Sequence, residues 1–147
     1  MADDRSLHEL PRAEAMRLLA SVPVGRLVFT HQALPAIRPV NHLVEHDKIV
    51  IGLTPGSAIA ASAGRDGTVV AYEADSLDLA DRTGWTVIVV GVARLETDPD
   101  AVLRHRAQLR PWLSGTMTDI ITISSELVTG YRLVPEQSAH EIVRAAE

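Results

Sequence analysis

Two short runs in this 147-residue chain carry residue types that could hold a flat polar ring and an anion. The first is Arg38-Pro39-Val40-Asn41, at the end of an extended stretch. Its backbone groups and the Asn41 amide can meet a ring's mixed donor and acceptor rim, and asparagine is poorly suited to mid-strand unless its hydrogen bonds are used. The second is Thr54-Pro55-Gly56-Ser57-Ala58. Amides at Gly56, Ser57 and Ala58 and the hydroxyls of Thr54 and Ser57 fit a helix start that holds a phosphate. Each run also has a plainer reading. Thr54 can simply cap a helix, and a proline-bent edge strand can simply carry a surface arginine.

Other chemistries find little support. No Walker loop, dinucleotide glycine fingerprint or nucleophile elbow is present. His42 and His46 have the H-x-x-x-H spacing of a helical metal site, but four residues on a strand span ~13 Å, and Glu45-His46-Asp47 reads as a turn. No metal site is expected, and no catalytic side chain is assigned. Trp85 and Trp112 stand near element ends, where tryptophan anchors a core or an interface and can also stack on a ring.

These runs need elements to position them. Helical spacing predicts a helix over 11–21, and alternation predicts strands over 24–31 and 34–44, the second interrupted by Pro35 and Pro39. A hairpin at 45–47 leads to a strand over 48–53, then a short alanine-rich helix with Thr54 as its cap and Gly64 as its stop. Strands follow over 67–74 and 84–97, separated by a polar loop over 75–83. The run WTVIVVGVARLE is apolar on both faces, so both faces need cover, and Gly91 marks a bend or a close backbone approach. Asp98-Pro99-Asp100 opens a helix to about Leu109, Pro111-Trp112-Leu113 breaks the chain, and one or two last strands fill 120–133 around Thr129-Gly130. Residues 1–9 read as loose, and the tail from Pro135 as peripheral. Short strands joined mostly by hairpins, with few helices, define a mainly β single domain: an antiparallel barrel with peripheral helices.

Composition sets the remaining bounds. A net charge of −5 argues against nucleic acid as partner, and the lack of cysteine excludes disulfides and thiolate chemistry. No apolar run approaches the ~18 residues of a membrane span, and the first residues carry acids where a signal peptide carries bases, so a cytoplasmic protein is expected.

The runs Val24-Gly25-Arg26-Leu27, Leu34-Pro35-Ala36-Ile37-Arg38-Pro39-Val40-Asn41, Thr54-Pro55-Gly56-Ser57, Tyr72-Glu73-Ala74-Asp75 and Thr83-Gly84-Trp85-Thr86-Val87 follow one another in a telling order. With Gly91 and Val128-Thr129-Gly130, they resemble the pyridoxamine-5′-phosphate-oxidase-like flavoproteins, the FMN-binding split β-barrels, and above all the branch grouped with nitroimidazole reductases. The resemblance implies a homodimer with two flavin sites at the subunit interface and a small-molecule substrate. It places Arg38–Asn41 along the isoalloxazine edge, Thr54 and Ser57 at the phosphate, and Trp85 and Trp112 over the pocket from the partner chain. FMN is the implied cofactor, with the 8-hydroxy-5-deazaflavin coenzyme as the variant, and a flavin-dependent oxidoreductase as the activity. This chain departs from the pattern at Gly52 and Ala58, where relatives often carry a base. Two lost charge-assisted contacts, at ~1.5–3 kcal/mol each, correspond to a hundredfold or more in affinity. The second reading is therefore a non-catalytic split-barrel dimer that binds flavin weakly, haem, or no cofactor.

Overall fold

The computed structural model describes residues 5–54, 56–64, 66–109 and 119–135. In chain order the elements are β1 (Arg5–Glu9), α1 (Arg12–Ala20), β2 (Val24–His31), β3 (Leu34–Glu45), β4 (Lys48–Leu53) and α2 (Ala58–Ala63). Then come β5 (Thr68–Asp78), β6 (Thr83–Leu95), α3 (Pro99–Gln108), β7 (Asp119–Ser124) and β8 (Leu127–Pro135). All pairings are antiparallel, in the order β1-β8-β6-β5-β2-β3-β4-β7, and β7 closes back onto β6. Six strands thus form a closed barrel, with β8 and β1 as an extension beyond β6. The mainly β, antiparallel split barrel expected from the sequence is what the chain forms.

Alternation explains the core. Leu27 and Phe29 of β2, Tyr72 and Ala74 of β5, and Trp85, Val87 and Val89 of β6 all point inward and are buried. Helix α1 plugs one end of the barrel with Ala15, Met16 and Leu19. A smaller cluster of Val50, Leu109 and Ile120 lies under α3, which Glu45 tethers by accepting from Arg104 (3.0 Å) and His105 (3.2 Å). Burial works to raise the Glu45 carboxyl, but those two donors outweigh it and hold it below its ordinary value.

Strand β6 forks. Its first half pairs with β8 as far as Val90↔Leu127, and its last residues pair with β7 from Ala93↔Ile123. Gly91 sits at the branch, where a Cβ would overlap the Ser124 carbonyl, 2.7 Å from its carbon. This is the close approach expected at that glycine. The Ser124 hydroxyl then accepts the Val92 N–H at 2.9 Å.

Four local expectations fail, each for a physical reason. Residues 5–9 are not loose; they form β1 on the edge of β8, held by backbone pairing while Leu7 stays 64% exposed, so no hydrophobic period announces them. The stretch 75–83 is not a loop but the outer end of the β5–β6 hairpin, paired out to Asp78↔Thr83. Its polar side chains face solvent, and the Asp78 carboxylate closes the tip by accepting from the amides of Ala80 and Asp81. The last turn falls at Ser125-Glu126, while Gly130 lies inside β8, where Ala15 and Leu10 press on it. Ser57, not Thr54, caps α2, accepting the Ala60 N–H at 3.4 Å. The expected break at Pro111-Trp112-Leu113 and the tail beyond Pro135 lie outside the described residues.

Candidate functional site

Strand β3 meets β2 along the run from Leu34 to Asn41, but meets β4 only from His42↔Ile51 to Glu45↔Lys48. The barrel is therefore open along a seam with Pro39, Val40 and Asn41 on one lip and Gly52, Leu53 and Thr54 on the other. The sequence dictates this opening. The His42 N–H reaches back to the Pro23 carbonyl (3.0 Å), which turns the backbone of odd-numbered β3 residues toward the β4 side. Pro35 and Pro39 fall in that set and offer no N–H there. The prolines thus lie on an edge, one of the positions open to them in the sequence.

Arg38 and Pro39 are exposed, while Val40 and Asn41 are partly buried. The Arg38 guanidinium donates to the Ile37 carbonyl at 2.9 Å, which parks its charge at the surface beside the seam. On the other lip Thr54 is exposed, and its carbonyl accepts the Ser57 N–H at 3.3 Å. Gly56 has φ +73, and a Cβ there would meet nothing within 4 Å, so the turn projects into open space. Ala58 packs on the main core. Arg38, Pro39, Val40 and Asn41 thus lie on the run of β3 that β4 does not pair, and Thr54, Gly56, Ser57 and Ala58 on the turn and helix start that follow β4. The structure does not bring Trp85 with them. That side chain is 8% exposed and packs in the main core. Trp112 and Pro55 lie outside the described residues.

One constellation escaped the sequence reading. On the outer face next to the seam, the Arg26 guanidinium donates to Glu73 (3.0 Å) and Asp75 (3.3 Å), and Thr86 lies 3.5 Å from the other Glu73 oxygen. Partial burial, followed by a hydrogen bond and repulsion from Asp75, pushes the Glu73 carboxyl up to about 7. The available signal was the i, i+2 spacing of the two acids in a strand opposite an outward arginine.

Behind the seam runs a buried polar chain. His42 Nε2 donates to the Leu19 carbonyl of α1 at 2.8 Å, since a carbonyl can only accept. Its Nδ1 then accepts from the Tyr72 hydroxyl, whose oxygen is met by the Gly25 backbone. Gly25 is required here, because a Cβ would come within 2.6 Å of the Glu73 carbonyl oxygen and overlap the phenol. Burial lowers His42 from its ordinary 6.5, and the Leu19 hydrogen bond opposes this only in part. At pH below 6.5 the unfolded chain therefore binds more protons at His42 than the folded one, and stability falls as pH falls. Glu73 acts in the opposite sense. Between its ordinary 4.5 and about 7 the folded state binds the extra proton, so stability falls as pH rises. In the wild type the two slopes oppose each other from pH 5 to 7. Glu73→Gln removes the opposing one, so its melting temperature should climb with pH more steeply than that of the wild type, as thermal melts would register.

An antiparallel barrel with an open seam and a polar lip defines a split-barrel binding scaffold. A family model described as pyridoxamine 5′-phosphate oxidase matches residues 11–140, and the chain belongs to that family. An uncharacterised protein of Mycobacterium tuberculosis is 50% identical over 135 residues, spanning 90% of this chain and 89% of that one. The structure of an FAD-binding protein from Mycobacterium smegmatis matches with TM-score 0.67 and 28% identity, covering 86% of this chain and 98% of the other. An FAD-binding protein from Mesorhizobium loti shares the fold, with TM-score 0.69 and 18% identity over 89% of this chain and 99% of its own. Among the described residues no helix is long and apolar enough to cross a membrane, and no group of three metal-ligating side chains occurs.

Proposed function

We propose that this chain is a flavin-dependent oxidoreductase that binds its flavin along the β3–β4 seam, in a cleft completed by a second copy of the chain. The observation that carries this reading is the end of the β3–β4 ladder at His42↔Ile51, which leaves polar groups on two facing lips. The donor set fits a flavin. Asn41 and the Pro39 carbonyl, both on the β4 side, suit the ring's polar rim, and Arg38 with the Thr54 and Ser57 hydroxyls and the Gly56 amide suits the phosphate. A bound flavin would supply the hydride and electron transfer, and the protein's part is to bind and orient it. FMN is the favoured cofactor, with the FAD named for the mycobacterial relative and the 8-hydroxy-5-deazaflavin coenzyme as variants. The cytoplasm, where small-molecule substrates and reduced nicotinamides meet such enzymes, is the proposed location.

A specific observation favours a second reading, a degenerate member that binds flavin weakly or not at all. Neither Gly52 nor Ala58 carries charge, and the Ser57 hydroxyl is turned to the Ala60 amide, so the described residues of the turn supply no cation of their own. Titration of the purified protein with FMN, FAD and the deazaflavin, followed by turnover with NAD(P)H or reduced deazaflavin, separates the two. Arg38→Gln should weaken FMN about tenfold or more and leave riboflavin, which lacks the phosphate, unchanged. Asn41→Ala should weaken both by about tenfold. Equal loss of FMN and riboflavin in Arg38→Gln would remove Arg38 from the phosphate, and a chain that takes up no flavin would leave the degenerate reading standing.

A further inference from the structure

The sheet ends in a bare edge at β1. Its one neighbour in the strand order is β8, and among the described residues nothing pairs with its other side. The Leu10 N–H donates to the Gly130 carbonyl at 2.7 Å, which continues the Arg5↔Pro135 register and fixes which residues turn their backbone inward. Even-numbered residues spend their N–H and C=O groups on β8, so Arg5, Leu7 and Glu9 turn theirs to the outer side. Pro135 agrees, because opposite Arg5 the ladder asks β8 for no N–H.

The sequence of that edge, Arg-Ser-Leu-His-Glu, is complementary to itself read backwards. An antiparallel copy placed about a two-fold axis at Leu7 sets position 5 opposite position 9, a base against an acid at both ends. Leu7 then faces its own copy. Position 6 falls opposite position 8, a hydroxyl against an imidazole, and these two groups already meet within one strand at 2.8 Å. All three outward-turned residues fall in hydrogen-bonded pairs, and three such pairs exchange about six N–H···O bonds. Sliding the copy by two residues leaves one end unpaired and sets Leu7 against a charge. Leu7 also ends an apolar row, Leu7–Leu133–Gly84–Leu77, whose end members are 64% and 59% exposed. A copy on the axis joins two such rows end to end.

We propose that β1 pairs with β1 of a second copy of this chain, antiparallel and centred on Leu7, so that two sheets run on as one. The contact closes on itself, because each copy has one such edge and the pair uses both. That ends the templating an open edge offers to other strands. Strands β8, β6, β5 and β2 separate β1 from the β3 lip of the seam, so this contact is distinct from a shared flavin cleft and does not rest on it. A five-residue edge is a small interface, and the association is correspondingly weak.

Covalent trapping tests this in the full chain, which has no cysteine of its own. Leu7→Cys should form a disulfide-linked dimer under mild oxidation, since facing Cα atoms in a hydrogen-bonded pair lie about 5.5 Å apart, within disulfide reach. Leu79→Cys, at a position 87% exposed, should cross-link at least about tenfold more slowly, because chance collision lacks the effective concentration of a docked pair. Adding Glu9→Arg to Leu7→Cys sets like charges opposite each other and should slow cross-linking severalfold. Adding Arg5→Glu as well should restore it. Melts by circular dichroism check that each variant keeps its barrel. Leu7→Cys trapped no faster than Leu79→Cys overturns the pairing. A rate indifferent to Glu9→Arg, or a double exchange that fails to recover it, overturns it equally.

Discussion

Replacing Gly91 with alanine should cost about 3 kcal/mol or more, because the fork of β6 has no room for a methyl group. A Cβ at this position would overlap the Ser124 carbonyl, so the obstacle is the backbone of β7 and not a side chain that could swing away. Relief requires moving β7 away from β6, which breaks the Ala93↔Ile123 pairing and the Ser124 bond to the Val92 amide. A midpoint fall of roughly 6–12 °C is expected for a chain of this size. Gly91→Val should not fold. Melts followed by circular dichroism check both. A wild-type midpoint for Gly91→Ala would mean the branch can widen at no cost and is not the barrel's closure point.

The second large effect concerns the buried chain from α1 to β2. Tyr72→Phe removes the hydroxyl that His42 Nδ1 accepts, in a place where His42 is only 4% exposed. An orphaned buried acceptor costs about 1–3 kcal/mol. His42→Leu orphans the Leu19 carbonyl and the phenol together, and should cost as much or more. The double substitution should cost clearly less than the sum, because the singles break the same bond, with a coupling of about 1 kcal/mol or above. Urea titrations of the four proteins give this directly. Strict additivity would show that the ring contact of the two residues, edge to face at 5.1 Å, is all they share.

Most of the barrel was legible because alternation is a strong signal where one face is buried. The strand from Val24 to His31 lies where Gly25, Leu27 and Phe29 face inward and Arg26, Val28 and Thr30 face out. The helix at Pro99 begins where Asp98 accepts the Asp100 amide, as the Asp-Pro-Asp signal requires. What stayed hidden depends on partners distant in sequence. Nothing local marks Arg5–Glu9 as a strand, since its order comes from the edge of β8. Trp85 reads equally well as a pocket wall or a core anchor until the register of β6 turns it inward. The Arg26–Glu73–Asp75 triplet joins residues 47 and 49 positions apart, so the spacing of its two acids gains meaning only once β2 is paired with β5.

The prolines of β3 carry one more consequence. A bare strand edge invites recruitment of other extended chains and, at high concentration, growth of stacked fibrils. With Pro35 and Pro39 turned toward the gap, every second donor a foreign strand would need is missing, and the gap resists zippering shut by stray peptides. The same two residues that keep the barrel ajar thereby discourage polymeric growth along its edge.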